Sequence, residues 1–263
     1  MSHDPIPKKS LGQHWLNDDD SLNAMLDAAE ASTDDVVLEI GPGLGTLTRK
    51  LVDTVHEVVA VEFDQYLALN LPTRVRADNL RVVQQDILSF DLTQMPAGYK
   101  VIANIPYYLT SNLIRVLSES SNQPQYAVLL VQKEVAQRLA AKPGAMSILS
   151  VTAQFYWNVT VGMVVGAELF TPPPKVDSQI VILHRRATPL FDNLDPKLLF
   201  RLVKAGFGER RKVLRNSLSG GLHISKEEAE KLLVEAGIDP GLRAQTLTLD
   251  QWHALYLAQQ KNA

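Results

Sequence analysis

From Val36 onward the chain alternates short β-branched runs with amphipathic stretches, and this alternation restricts the fold more than any other feature. Parallel strands can be joined only by a crossover of a dozen or more residues, which a helix supplies, so the pattern reads as a parallel sheet covered by helices. Strands are expected at residues 36–40, 58–61, 81–84, 100–103 and 126–131, with helices at 43–53, 65–71, 111–118 and 133–140. Residues 148–157 and 159–165 read as further strands, and 179–184 as one that closes the sheet.

After Asp195 the pattern becomes helical. Pro196 opens a helix to residue 204, residues 210–218 continue helical, and Gly220 with Gly221 is expected to break it. Ser225 and Glu228 make a capping box for a helix over 226–236, and a last helix is expected over 249–260. The expected division is therefore a sheet domain, residues 1–188, and a smaller helical domain, residues 189–263. A chain of 263 residues can bury two cores without staples, and it has no cysteine, which removes disulfides, iron–sulfur clusters, thiolate zinc sites and thiol nucleophiles together. No metal site is expected. Residues 1–10 lack the apolar centre of a secretory signal and no apolar run approaches about 18 residues, so a cytoplasmic protein without membrane contact is expected; separately, a monomer is the expected state.

The net charge of −3 hides a division, since residues 1–170 carry net −7 and residues 171–263 net +4. Between Arg185 and Arg215 nine lysines and arginines face only Asp192, Asp195 and Glu209. Such a run is a solvated helix face or a polyanion-binding surface.

Glu39-Ile40-Gly41-Pro42-Gly43-Leu44-Gly45 stands where the first strand hands over to the first helix, and Gly41, Gly43 and Gly45 let the backbone turn tightly beside a ligand. Glu62 ends the second strand, 21 residues after Gly41, where a carboxylate can accept from both hydroxyls of a ribose. The spacing is GxGxG where the dinucleotide fingerprint is GxGxxG, and Pro42 stiffens the turn that would lie against a diphosphate. Asp86, after the third strand, can accept from an adenine amino group. A ribose and an adenine without phosphates describe S-adenosylmethionine; a nicotinamide dehydrogenase is the alternative that the loop spacing disfavours.

Asn104-Ile105-Pro106-Tyr107 follows the fourth strand and resembles the N/D-P-P-Y/F loop of methyltransferases that act on exocyclic amino groups of bases. In that reading Asn104 and the Ile105 carbonyl accept the amino hydrogens while Tyr107 stacks on the base. Four further stretches, residues 9–16, 170–178, 207–212 and 214–218, resemble the ribosomal RNA adenine N6,N6-dimethyltransferase family, so the resemblance spans nearly the whole chain. Trp15, where the family has Phe, and Tyr108 and Thr110 after the reactive tyrosine depart from the pattern.

The resemblance implies a Rossmann-like S-adenosylmethionine-dependent methyltransferase sheet with a C-terminal helical domain. It implies that His14 and Leu16 close over the cofactor, that Phe170 flanks the target base opposite Tyr107, and that two adjacent adenines near the 3′ end of small-subunit ribosomal RNA, presented in a pre-ribosomal small subunit, are the substrate. Lys204, Arg210, Arg211, Lys212 and Arg215 would then hold RNA phosphates. The alternatives are a large-subunit ribosomal RNA methyltransferase of the macrolide-resistance type and a non-catalytic RNA-binding role on the same scaffold.

Overall fold

The computed structural model describes residues 5–8, 11–209 and 211–262. Lys9, Ser10 and Arg210, each within a stretch singled out above, lie outside the described residues. By their contacts the residues fall into two compact units, Met1–Gln137 with Trp157–Arg185, and Arg138–Tyr156 with Arg186–Ala263. This division differs from the single cut expected between residues 188 and 189, because Arg138–Tyr156 leaves the sheet unit and returns to it at Trp157.

The sheet unit is built on seven strands. In chain order its elements are β1 (Trp15–Leu16), α1 (Asp19–Ala28), β2 (Val36–Ile40), α2 (Thr46–Thr54), β3 (Glu57–Glu62), α3 (Gln65–Val75), β4 (Leu80–Gln84), β5 (Lys100–Asn104), α4 (Thr110–Glu119) and β6 (Tyr126–Gln132). After α5 (Lys133–Leu139) and α6 (Ile148–Tyr156) come β7 (Trp157–Val165), β8 (Phe170–Thr171) and β9 (Ser178–Arg185). The large sheet runs β4-β3-β2-β5-β6-β9-β7; its first five strands are parallel, and β9 is antiparallel to both its neighbours, β6 and β7. Chain order reverses between β2 and β5, the place where open α/β sheets leave a crevice at the carboxyl ends of their strands. The apolar runs explain the burial: Val37, Leu38, Val101, Ile102 and Ala127–Val131 have almost no exposed surface, as strands covered on both faces require.

Local chemistry sets the helix starts. Asp18 and Asp64 cap α1 and α3 by accepting from Ser21 N, and from Tyr66 N and Leu67 N. A separate two-stranded ribbon pairs Leu16 of β1 with Phe170 of β8.

The second unit holds α6, α7 (Pro196–Phe207), α8 (Leu214–Leu222), α9 (Lys226–Glu235) and α10 (Leu249–Lys261) around one apolar core centred on Leu202, Leu214, Leu233 and Trp252. The capping box at Ser225 and Glu228 is present, as is a second at Thr248 and Gln251. Three expectations are corrected here. Residues 148–156 are helical: Ser147 and Ser150 exchange side-chain-to-backbone bonds of 3.0 and 3.2 Å that close the first turn, and Val151 and Phe155 bury one helical face. Helix α8 starts at Leu214, so Arg211 and Lys212 lie in a turn before it. It also runs through Gly220 and Gly221 and ends at His223 in the left-handed conformation, because a side chain at 221 would put Cβ 2.6 Å from Ala205 Cα on α7. There glycine serves a close helix crossing and not a stop.

Candidate active site

The loops leaving β2, β3, β4 and β5, together with residues 11–16, line one cavity of about 160 Å³. It sits at the carboxyl edge where the strand order reverses. Gly41, Gly43 and Gly45 have φ of 66, 56 and 81°, so the chain leaves β2 through left-handed positions that glycine adopts at little cost. Gly45 stands at the N-cap of α2, and a Cβ there would lie 2.8 Å from Leu71 Cδ1 and 2.9 Å from Val75 Cγ2. Gly41 and Gly43 line the cavity; Gly45 packs behind it.

Glu62, the last residue of β3, lines the same cavity and is 6% exposed. Its Oε2 accepts from Gly43 N at 3.1 Å and its Oε1 from Asp64 N at 2.8 Å, tying the strand end to the glycine loop. Burial raises its pKa, and the two backbone donors oppose that shift without cancelling it. Asp86 caps a short turn by accepting from Leu88 N at 2.9 Å, and Ile87, Leu88 and exposed Phe63 complete an apolar wall.

Opposite lies the loop after β5. Asn104 Nδ2 donates to His14 O at 3.2 Å, which leaves Oδ1 as the accepting end of that amide. Tyr107 shares a 2.8 Å hydrogen bond with Ser178 Oγ, and its ring stacks at 5.9 Å on His14, whose Nδ1 is 2.7 Å from Pro172 O. Burial pushes the Tyr107 phenol up, with the nearby Asp177 charge adding to it and the Ser178 bond opposing it, so Tyr107 is a neutral ring at neutral pH. Tyr108 is 63% exposed at the rim, its ring 3.5 Å from the position of a Cβ on Gly12. Lys8 Nζ meets Asp64 Oδ2 at 2.6 Å.

Of the site residues expected from sequence, His14, Leu16, Gly41, Gly43, Glu62, Asp86, Asn104 and Tyr107 therefore line one cavity. Phe170 does not. It is 3% exposed, paired with Leu16 across the ribbon and packed with Ile180 in the sheet-unit core. Sequence reasoning passed over Glu39, which is 1% exposed, lines the cavity and has an Oε2 without a hydrogen-bond partner. Burial pushes its carboxyl up to about 8, and the Glu62 charge adds to the effect; Thr48 pulls the other way, although its Oγ1 makes no hydrogen bond of good geometry. The available signal was a carboxylate at the inward-facing penultimate position of an otherwise apolar strand. Among the described residues, the lining thus contains Glu39, Glu62 and Asp86 but no lysine or arginine. Such a cavity suits a cationic ligand rich in hydrogen-bond donors and disfavours a diphosphate.

Residues 7–261 match the family model described as ribosomal RNA adenine dimethylase. The chain belongs to that family. A ribosomal RNA small subunit methyltransferase A from Dehalococcoides mccartyi is 39% identical over 259 residues, covering 97% of this chain and 89% of the relative. One of the same name from Nostoc sp. is 40% identical, covering 94% and 95%. Among solved structures, a dimethyladenosine transferase from Plasmodium falciparum superposes with a TM-score of 0.81 at 26% identity, covering 94% of this chain and 98% of that one. The 23S rRNA methyltransferase ErmE gives 0.72 at 28% identity, covering 94% and 99%.

In this chain the expected RNA-contacting cations have different surroundings. Lys204 is exposed on α7 and Arg211 in the turn before α8. Lys212 pairs with Glu209, and Arg215 Nη1 with Glu230 Oε2 at 2.7 Å.

Proposed function

We propose that this chain transfers methyl groups from S-adenosylmethionine to N6 of two adjacent adenines near the 3′ end of small-subunit ribosomal RNA, acting in the cytoplasm as a monomer on a pre-ribosomal small subunit. The observation that carries this reading is the convergence of the glycine loop, three carboxylic acids and the Asn104–Tyr107 loop on one cavity with no lysine or arginine among its described lining residues. The relatives named small-subunit methyltransferases, about 40% identical over nearly the whole chain, support the choice of RNA.

The residues present fit the cofactor. Glu62 would accept from the ribose hydroxyls, Asp86 from the adenine amino group, and the glycine loop would lie beside the methionine portion. When bound, the cofactor supplies an electrophilic methyl group on a positively charged sulfur. The chain's own contribution is to place an adenine N6 in line with it. Asn104 Oδ1 and the Ile105 carbonyl accept the amino hydrogens, which draws the nitrogen lone pair out of conjugation with the ring. Tyr107, kept neutral and fixed by Ser178, offers its ring to the base and takes no proton; the proton leaves to water after transfer. The buried Phe170 backs Leu16 across the ribbon and stiffens the wall from behind.

The test is to incubate the protein and radiolabelled cofactor with partly assembled small subunits, with naked large-subunit RNA and without RNA, then identify the modified nucleosides. Label in N6,N6-dimethyladenosine from the small subunits alone is expected. Label from large-subunit RNA alone would replace this reading with the macrolide-resistance type, and none from any RNA would leave the non-catalytic one.

A further inference from the structure

Nine cations between Arg185 and Arg215 form one basic run in the sequence, but the structure separates them by what they already bind. Arg185 Nη1 donates to Gln123 O at 3.0 Å, and Arg186 donates through Nε and Nη2 to Gln154 O at 3.2 and 3.0 Å. Lys212 and Arg215 form ion pairs with Glu209 and Glu230. Arg211, in the turn before α8, is exposed and makes no ion pair or hydrogen bond to another described residue, and Lys197, Arg201 and Lys204 share that state but stand together on one helix. At i, i+4 and i+7 they share one face of α7, so three uncompensated charges lie within about 10 Å along the helix axis.

These three side chains line one wall of a groove of about 540 Å³ between α7 and α8. Its floor is nearly free of side chains, being formed by Ala205, Gly220 and Gly221. Gly221 permits the close crossing with α7, and the Cβ position of Gly220 is approached only by Glu209 Oε1 at 3.7 Å, so an extended chain can lie along the backbone there. The one carboxylate among the described residues of the groove is Glu209, and Lys212 already compensates it.

We propose that this groove is a binding site for RNA phosphates, with Lys197, Arg201 and Lys204 as the contacts, and that Lys212 and Arg215 act mainly within the fold. The proposal rests on the reading of the substrate as RNA. It goes beyond it by extending the electrostatic contact from the 210–215 run to the α7 stripe, where Lys197 and Arg201 have no assigned role. Uncompensated cations bind phosphate with release of condensed counterions, whereas cations already held by carboxylates gain far less.

The experiment measures affinity for a small-subunit ribosomal RNA transcript against salt, by filter binding, for the unaltered chain, for the triple variant Lys197→Gln/Arg201→Gln/Lys204→Gln, and for the double variant Lys212→Gln/Arg215→Gln. Each lost phosphate contact removes about 0.7–0.9 from the slope of log affinity against log salt, so the triple variant should lose about 2–3. Equivalently, the fall in affinity between about 50 and 200 mM salt should shrink by roughly 20- to 40-fold. The double variant should change the slope by less than about 0.5. Lys197→Gln alone, a single exposed change, should shift it by about 0.7–0.9 and gives the answer should the triple variant not fold. An unchanged slope in the triple and single variants overturns the groove assignment while the RNA reading stands. Salt-independent or absent binding by the unaltered chain overturns both.

Discussion

Glu39 offers a prediction in which sign and size both follow from burial. Its carboxyl is fully enclosed and held at about 8, against an ordinary value of 4.5. Between those two values the folded chain binds a proton that the unfolded chain has released, so stability falls as pH rises across that window and levels off above it. Each pH unit is worth about 1.36 kcal/mol, which amounts to about 3 kcal/mol lost by pH 7 and about 5 kcal/mol by pH 9 in the unliganded protein. Glu39→Gln keeps the shape and removes the titration, and the new amide can donate to Thr48 Oγ1, which has no hydrogen-bond partner. Urea unfolding of both proteins from about pH 4 to pH 9, with the transition of each unit fitted separately, isolates the effect, because the titrating groups not coupled to Glu39 cancel in the difference. The variant should gain on the parent steadily with pH, to about 3 kcal/mol at pH 7. Parallel stability profiles would refute the claim that Glu39 is held neutral by desolvation.

Three other perturbations test separate parts of the account. Gly45→Ala combines left-handed strain with a Cβ at 2.8 Å from Leu71 and should cost about 2–4 kcal/mol in urea unfolding, whereas Gly41→Ala, whose nearest neighbour is Pro106 Cδ at 3.9 Å, should cost only about 1–2 kcal/mol. Ser118→Ala removes the acceptor 2.8 Å from the buried Trp157 Nε1 and should cost about 1–3 kcal/mol, read as a lower melting temperature with unchanged cofactor binding by calorimetry. Asn104→Ala should lower kcat about 100- to 1000-fold in methyl transfer to small subunits, while Tyr107→Phe, which loses only the Ser178 bond, should lower it less than about tenfold.

The strands and helices of the sheet unit were readable because their periodicity is local and their caps are adjacent residues such as Asp18 and Asp64. The failures came where a distant partner decides. Residues 148–156 are rich in β-branched and aromatic side chains, yet the core around Leu202 and Trp252 favours a helical face there. Gly220 and Gly221 look like a stop, but Ala205 on the neighbouring helix selects them for closeness. The ribbon between Leu16 and Phe170 joins two-residue strands too short to leave a pattern.

The candidate site divides along the same line. Gly41, Gly43, Glu62, Asp86 and Asn104 were legible because a parallel sheet brings its strand ends to one edge, so position relative to a strand already places a side chain at the cavity. Phe170 could not be placed that way, because its environment depends on pairing with a segment near the other end of the unit. Charge is harder still. A count of lysines and arginines registers Arg215 as readily as Lys204, yet Glu230, 15 residues away, neutralises one of them and nothing described neutralises the other. Recognition of a polyanion depends on the charges left over after the fold has satisfied its own, and that remainder becomes visible only once α7 and α8 stand beside each other.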